Sequence, residues 1–123
     1  MADAGIVLFA HGARDRRWAE PFEHLRERMQ ARRPDLAIEL AFLEHMPPDL
    51  AEAAVTLAAR GVRRVRIVPL FFGRGGHLRN DFPLHVARAQ AAAPALAFEV
   101  IDAAGEDRAV IDALADFALS GLA

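Results

Sequence analysis

Gly5-Ile-Val-Leu-Phe-Ala-His-Gly12 is the stretch on which the fold turns. Its first six residues are small or apolar, with β-branched and aromatic types among them. No polar residue alternates with them, a pattern expected of a parallel strand buried on both faces. The run passes straight into His11-Gly12, so a polar step stands where the strand ends. Downstream, Trp18, Phe22, Leu25 and Met29 recur at helical spacing, and Pro21 suits a first helical turn. Leu36 to Leu43 alternates enough to be a second strand. Pro47-Pro48-Asp49 punctuates, and Leu50 to Arg60 reads as an Ala-rich helix ended by Gly61. Val62 to Phe72 is the expected third strand, and Gly73-Arg-Gly-Gly76 a loop. Asn80 or Asp81 is expected to cap a helix to about Ala93, with Pro83 in its first turn and Pro94 as its stop. Leu96 to Ile101 reads as a fourth strand. Asp107 to Leu119 reads as a closing helix with Val110, Ile111, Leu114 and Phe117 on one face.

Strands alternating with helices predict an α/β fold, one domain over residues 1–123. Its core is a four-stranded parallel sheet in the order 2-1-3-4, flanked by helices on both faces. That order reverses direction between strands 1 and 3. Ligands bind beyond the carboxyl ends of strands at such a switch point.

Composition narrows the chemistry. The 123 residues are 54% hydrophobic and 26% charged, an ordinary globular balance. Cys is absent, which excludes disulfides, thiolate metal sites and thiol nucleophiles. All 15 basic residues are Arg, and the lack of Lys removes Schiff-base chemistry and a P-loop lysine. A formal charge of −2 gives no global field for nucleic acid or an anionic membrane. The apolar runs are far too short for a membrane span. Met1-Ala2-Asp3-Ala4 has no basic region ahead of its apolar run, so no secretory signal and a cytoplasmic location are expected.

The carboxyl ends of strands 1, 2 and 3 carry His11, Glu44 and His77, which the topology should bring together. Two imidazoles and one carboxylate make an open site for a divalent transition metal, better suited to Co, Fe, Ni or Zn than to Mg or Ca. His45 follows Glu44, and neighbours on a strand point oppositely, so His45 is expected at the periphery. His24 and His85 read as helix surface or packing residues. Arg14, Arg16, Arg17, Arg74 and Arg79 surround the cleft and together suit an anionic ligand with several carboxylates. Trp18, Phe71, Phe72, Leu78 and Phe82 offer an apolar wall, with core packing the competing role for Phe72 and Phe82. The Gly-rich loop lacks both the dinucleotide and the P-loop patterns.

Leu8-Phe-Ala-His-Gly-Ala-Arg-Asp15, Ala41-Phe-Leu-Glu44 and Val68-Pro-Leu-Phe-Phe-Gly-Arg-Gly-Gly-His77 together resemble the small class II tetrapyrrole chelatases, of the short sirohydrochlorin cobaltochelatase type. The resemblance covers nearly the whole chain. It implies a chelatase lobe and insertion of a divalent metal into sirohydrochlorin on the path to cobalamin. Co2+ comes first as the metal substrate, with Fe2+ or Ni2+ in close relatives, and no cofactor is tightly bound. It implies that His11 and His77 bind metal and assist pyrrole deprotonation, with Glu44 a further ligand. Arg14, Arg17, Arg74 and Arg79, with Gly75 and Gly76, would hold the acetate and propionate rim of the substrate. Longer relatives carry two lobes in one chain, so one lobe implies a homodimer with the macrocycle between subunits. The chain departs from the pattern at His45-Met46, where relatives more often have an apolar residue after the Glu.

Other readings stay open. One is a ferrochelatase of sirohaem synthesis, another a non-catalytic carrier of metal or tetrapyrrole, and another a lobe that needs an unlike partner. A histidine phosphatase would place Arg immediately before His-Gly, where this chain has Ala10.

Overall fold

A computed structural model describes residues 3–73 and 76–122, with side chains throughout except at residues 76–80. Four strands, β1 (Ala4–Ala10), β2 (Ala37–Phe42), β3 (Arg64–Pro69) and β4 (Ala97–Val100), pair in parallel in the order β2-β1-β3-β4. The helices are α1 (Glu20–Arg32), α2 (Leu50–Ala59), α3 (Gly76–Ala92) and α4 (Arg108–Leu119). Single 3-10 turns at Arg16–Ala19 and Ala104–Glu106 precede α1 and α4. No helix among the described residues is long and apolar enough to cross a membrane.

The uninterrupted apolar run of β1 follows from its central place. Val7 and Phe9 pack under α2 and α3 with Val65, Ile67, Leu57 and Phe82. Leu8 and Ala10 pack on the other face with Ile38, Leu40, Phe42 and residues of α1. A strand covered on both sides has no position for a polar side chain. Helix α2 begins where a reciprocal cap can form. Asp49 accepts from the Glu52 N–H at 2.8 Å, and Glu52 accepts from the Asp49 N–H at 2.9 Å. Ala53, Ala54 and Leu57 of α2 are fully buried, and the two alanines let its backbone sit close to the sheet.

Three expectations are corrected. Helix α3 begins at Gly76, ahead of Asn80 and Asp81, so Pro83 lies inside it rather than in its first turn. Proline removes one helical hydrogen bond there. Burial of Phe82 against the Phe9 ring, centroids 5.5 Å apart, anchors the helix beside it and offsets that cost. Strand β3 ends at Pro69, short of Phe72. Phe71 turns inward and is buried, whereas Phe72 turns out and is 72% exposed. Helix α4 does not close over the sheet, and none of its residues is buried. The sheet surface next to α1 is charged. Arg64, Arg66 and Glu99 stand on it, with Arg66 Nε 3.0 Å from a Glu99 oxygen. Arg64 is likewise paired, with Asp3 at 3.5 Å, and an apolar helix laid over these exposed pairs would take their charges out of water.

Candidate functional site

The carboxyl ends of β1 and β2 stay joined beyond the last paired residues. The Leu43 N–H donates to the Ala10 carbonyl at 2.9 Å, and the Glu44 N–H donates to the His11 carbonyl at 3.1 Å. His11 and Glu44 therefore leave the sheet side by side. Gly12 makes the approach possible. Its φ is +92°, and a Cβ there would run into the Glu44 carbonyl oxygen.

His11 Nε2 lies 3.4 Å from Glu44 Oε1, and both side chains are about half exposed. That separation is long for a hydrogen bond. It suits two ligands of one tetrahedral ion, which with bonds of about 2.1 Å stand about 3.4 Å apart. The Phe71 ring meets His11 edge-on at 6.1 Å and forms an apolar floor beneath it. Phe82 belongs to the core rather than the cleft wall, and Trp18 packs against Phe22 with centroids 4.7 Å apart and rings tilted by 43°. His85 packs by Phe9 at 6.0 Å, and His24 is exposed.

His45 is not at the periphery. Its Nε2 stands 3.6 Å from the same Glu44 oxygen that faces His11. The alternation rule fails there because β2 has ended at Phe42, and His45 has a left-handed backbone with φ 71°. Among the described residues no three His, Cys, Asp or Glu side chains form a single metal-binding group. Arg74 and Gly75 lie outside the described residues. His77, Gly76 and Arg79 fall in the first turn of α3, right after the loop that leaves β3, and their side chains are likewise outside the description.

In the segment that follows β1, Arg14 and Arg16 are exposed. Arg17 is held by Asp15 through Nε and Nη2 at 3.1 and 2.8 Å. The side-chain and backbone hydrogen bonds from Arg17 hold the Asp15 carboxyl below its usual range. Nη1 of Arg17 is left for a further acceptor. A depression of about 430 Å3 lies at the other end of the sheet among Gly5, Leu36, Arg66 and Phe98. It holds no His and stands away from the switch point, so the chemistry favours the His11–Glu44 end over this hollow. Gly12 and His45 are the two site residues that strand-end reasoning undervalued. The signals were a Gly directly after the strand-end His and a second imidazole directly after the strand-end Glu.

Known proteins share this architecture. Residues 5–119 match the family described as CbiX. A sirohydrochlorin cobaltochelatase of Sulfolobus acidocaldarius is 30% identical over 118 residues, covering 96% of this chain and 92% of that one. The cobalamin (vitamin B12) biosynthesis CbiX protein of Marinobacter aquaeolei VT8 superposes with a TM-score of 0.84 at 29% identity, over 97% of both chains. SirB of Bacillus subtilis subspecies spizizenii, solved with cobalt, shares the fold with a TM-score of 0.78 at 23% identity. That match takes in 94% of this chain but 49% of SirB.

Proposed function

Since this chain belongs to the CbiX family, we propose that it inserts a divalent metal ion, Co2+ foremost, into sirohydrochlorin. The observation that carries this reading is the His11–Glu44 pair, spaced as two ligands of one ion at the open end of the sheet. The metal is a substrate and needs only a temporary hold. Protein ligands at some positions and water at the rest leave room for exchange onto pyrrole nitrogens.

Insertion replaces two pyrrole protons with one divalent ion, so each turnover releases two protons. As the ion leaves His11 for the ring, the freed imidazole accepts one of them. His77, at the mouth of α3, takes the second role in the same way. Glu44 keeps the ion beside the macrocycle while its bonds to imidazole are exchanged. The neighbouring Phe71 floor excludes water from one side of His11.

The active species is a homodimer. One lobe leaves His11 and Glu44 half exposed, and the chain matches about half the length of SirB. A second copy supplies the missing wall for a flat macrocycle and closes a two-fold pair. The test is an insertion assay with purified protein, sirohydrochlorin and Co2+, Fe2+ or Ni2+ in turn, read by visible spectrum. Co2+ gives the fastest change, and no change with any metal refutes the reading. Repeated over a dilution series, the assay also reads assembly. Activity per chain falls on dilution if the subunits share the site, and constant activity from a monomer removes the pair.

Arg14 and Arg17, with Arg74 and Arg79, hold the carboxylate rim of the substrate. Arg14→Ala combined with Arg17→Ala raises the substrate KM roughly three- to tenfold, and less at high salt, because exposed pairing is screened. The kcat falls less, since these groups do not reach the reacting nitrogens. An unaltered KM at low salt makes them ordinary solvated charges.

A further inference from the structure

Among the described residues, His45 is the one non-glycine residue with positive φ, at 71°. A side chain with a Cβ is strained there, and glycine would hold the same bend at lower cost. Strained backbone that survives beside a reactive cluster points to a use for the side chain it aims. The bend here turns the imidazole back, so that Nε2 comes within 3.6 Å of Glu44 Oε1. His11 Nε2 lies 3.4 Å from the same oxygen. One carboxylate oxygen is thus flanked by two imidazoles, and each gap matches two ligands about one ion. The three do not close on a single ion position. Glu44 Oε1 is thus shared between two separate His–Glu pairs.

We propose that His45 is a further metal ligand, forming with Glu44 a waiting position from which the ion passes to Glu44 and His11. The proposal rests on the chelatase reading above. The step is ligand exchange. The ion keeps its bond to Glu44, releases the His45 nitrogen and takes up the His11 nitrogen, while water fills its remaining positions. No electron or proton moves. A His following the Glu would thereby raise the local supply of metal without placing a fixed, closed site against the macrocycle.

The experiment titrates Co2+ alone into the intact protein, followed by the visible absorption of bound Co2+, for wild type, His45→Gly and His45→Asn. Glycine removes the ring and relieves the bend. Asn tolerates the bend and lacks the imidazole. Both variants are expected to bind Co2+ roughly tenfold more weakly, in the range seen when groups supporting a metal site are lost. The metal KM should rise by a similar factor and kcat fall much less. The Tm of His45→Gly should hold or rise, which separates a lost ligand from a damaged fold. Co2+ affinity and metal KM at wild-type values in both variants, alongside wild-type insertion activity, overturn the role of His45 alone. Wild-type binding in His45→Asn with loss only in His45→Gly assigns the effect to the backbone and overturns it too. A wild-type protein that neither binds nor inserts Co2+ overturns this proposal together with the chelatase reading.

Discussion

His11→Ala lowers kcat/KM for metal insertion by at least about a thousandfold while the protein stays folded. A positioned general base alone contributes roughly 10²- to 10⁴-fold. In the proposed mechanism the same substitution also removes one of the ligands that hold the ion. The fold is spared because His11 is half exposed and lies beyond the end of β1. Its loss uncovers the edge of Phe71 but opens no cavity in the core. His77→Ala should behave alike, from the other side of the switch point. Circular dichroism and steady-state insertion kinetics on each variant check this. A folded His11→Ala protein that keeps wild-type turnover would place the chemistry elsewhere.

Gly12→Ala damages both stability and activity. At φ +92° an alanine is strained by about 1–2 kcal/mol. Its methyl group also meets the Glu44 carbonyl oxygen, which is backbone and has no rotamer to swing away. Relief requires the turns after β1 and β2 to part, and the bond from the Glu44 N–H to the His11 carbonyl is the one they would lose. The expected total is about 2–4 kcal/mol of lost stability, read by urea unfolding. Insertion should fall by at least tenfold, because the His11–Glu44 spacing is set by those turns. Gly61→Ala is the control. Gly61 also has positive φ, 85°, but open space around its Cβ position, so only the strain of about 1 kcal/mol applies. Equal effects at the two positions would mean that the close approach to Glu44 has no consequence.

The sheet order and the His11–Glu44 pairing were legible because both depend on patterns that the chain carries locally. A strand covered on two faces must be apolar throughout, as β1 is. A helix with a reciprocal Asp-Glu cap announces its own start, as α2 does. Residues just past parallel strands must meet at one edge of the sheet. Other features depend on what the chain meets in space. The apolar stripe of α4 is visible as periodicity, but periodicity does not say what covers it. The charges on the sheet face beside α1 come from two places, Arg64 and Arg66 on β3, far from α4 in sequence, and Glu99 on β4, shortly before it. Pro83 marks an inexpensive helix start, and packing of Phe82 overrides it. His45 was misplaced because alternation holds only while a strand lasts, and the backbone angle that ends it leaves no trace in residue type.

The uncovered state of α4 bears on how a lobe could associate and let go. Twelve residues are about the length at which a helix without tertiary support is only marginal in water. Asp107 caps its first turn by accepting from the Val110 N–H at 3.2 Å, but no side chain of the helix is buried. Its order is therefore weakly coupled to the core, and sub-global opening of this segment costs far less than unfolding the sheet. Any surface that seats against Val110, Leu114 and Phe117 must also supply the entropy of fixing this helix. Association through it would be looser than its apolar area suggests, since ordering is subtracted from the contact energy. In the proposed dimer, which must admit and discharge a wide macrocycle at each turnover, a joint of that kind would shorten the dwell time of the closed state.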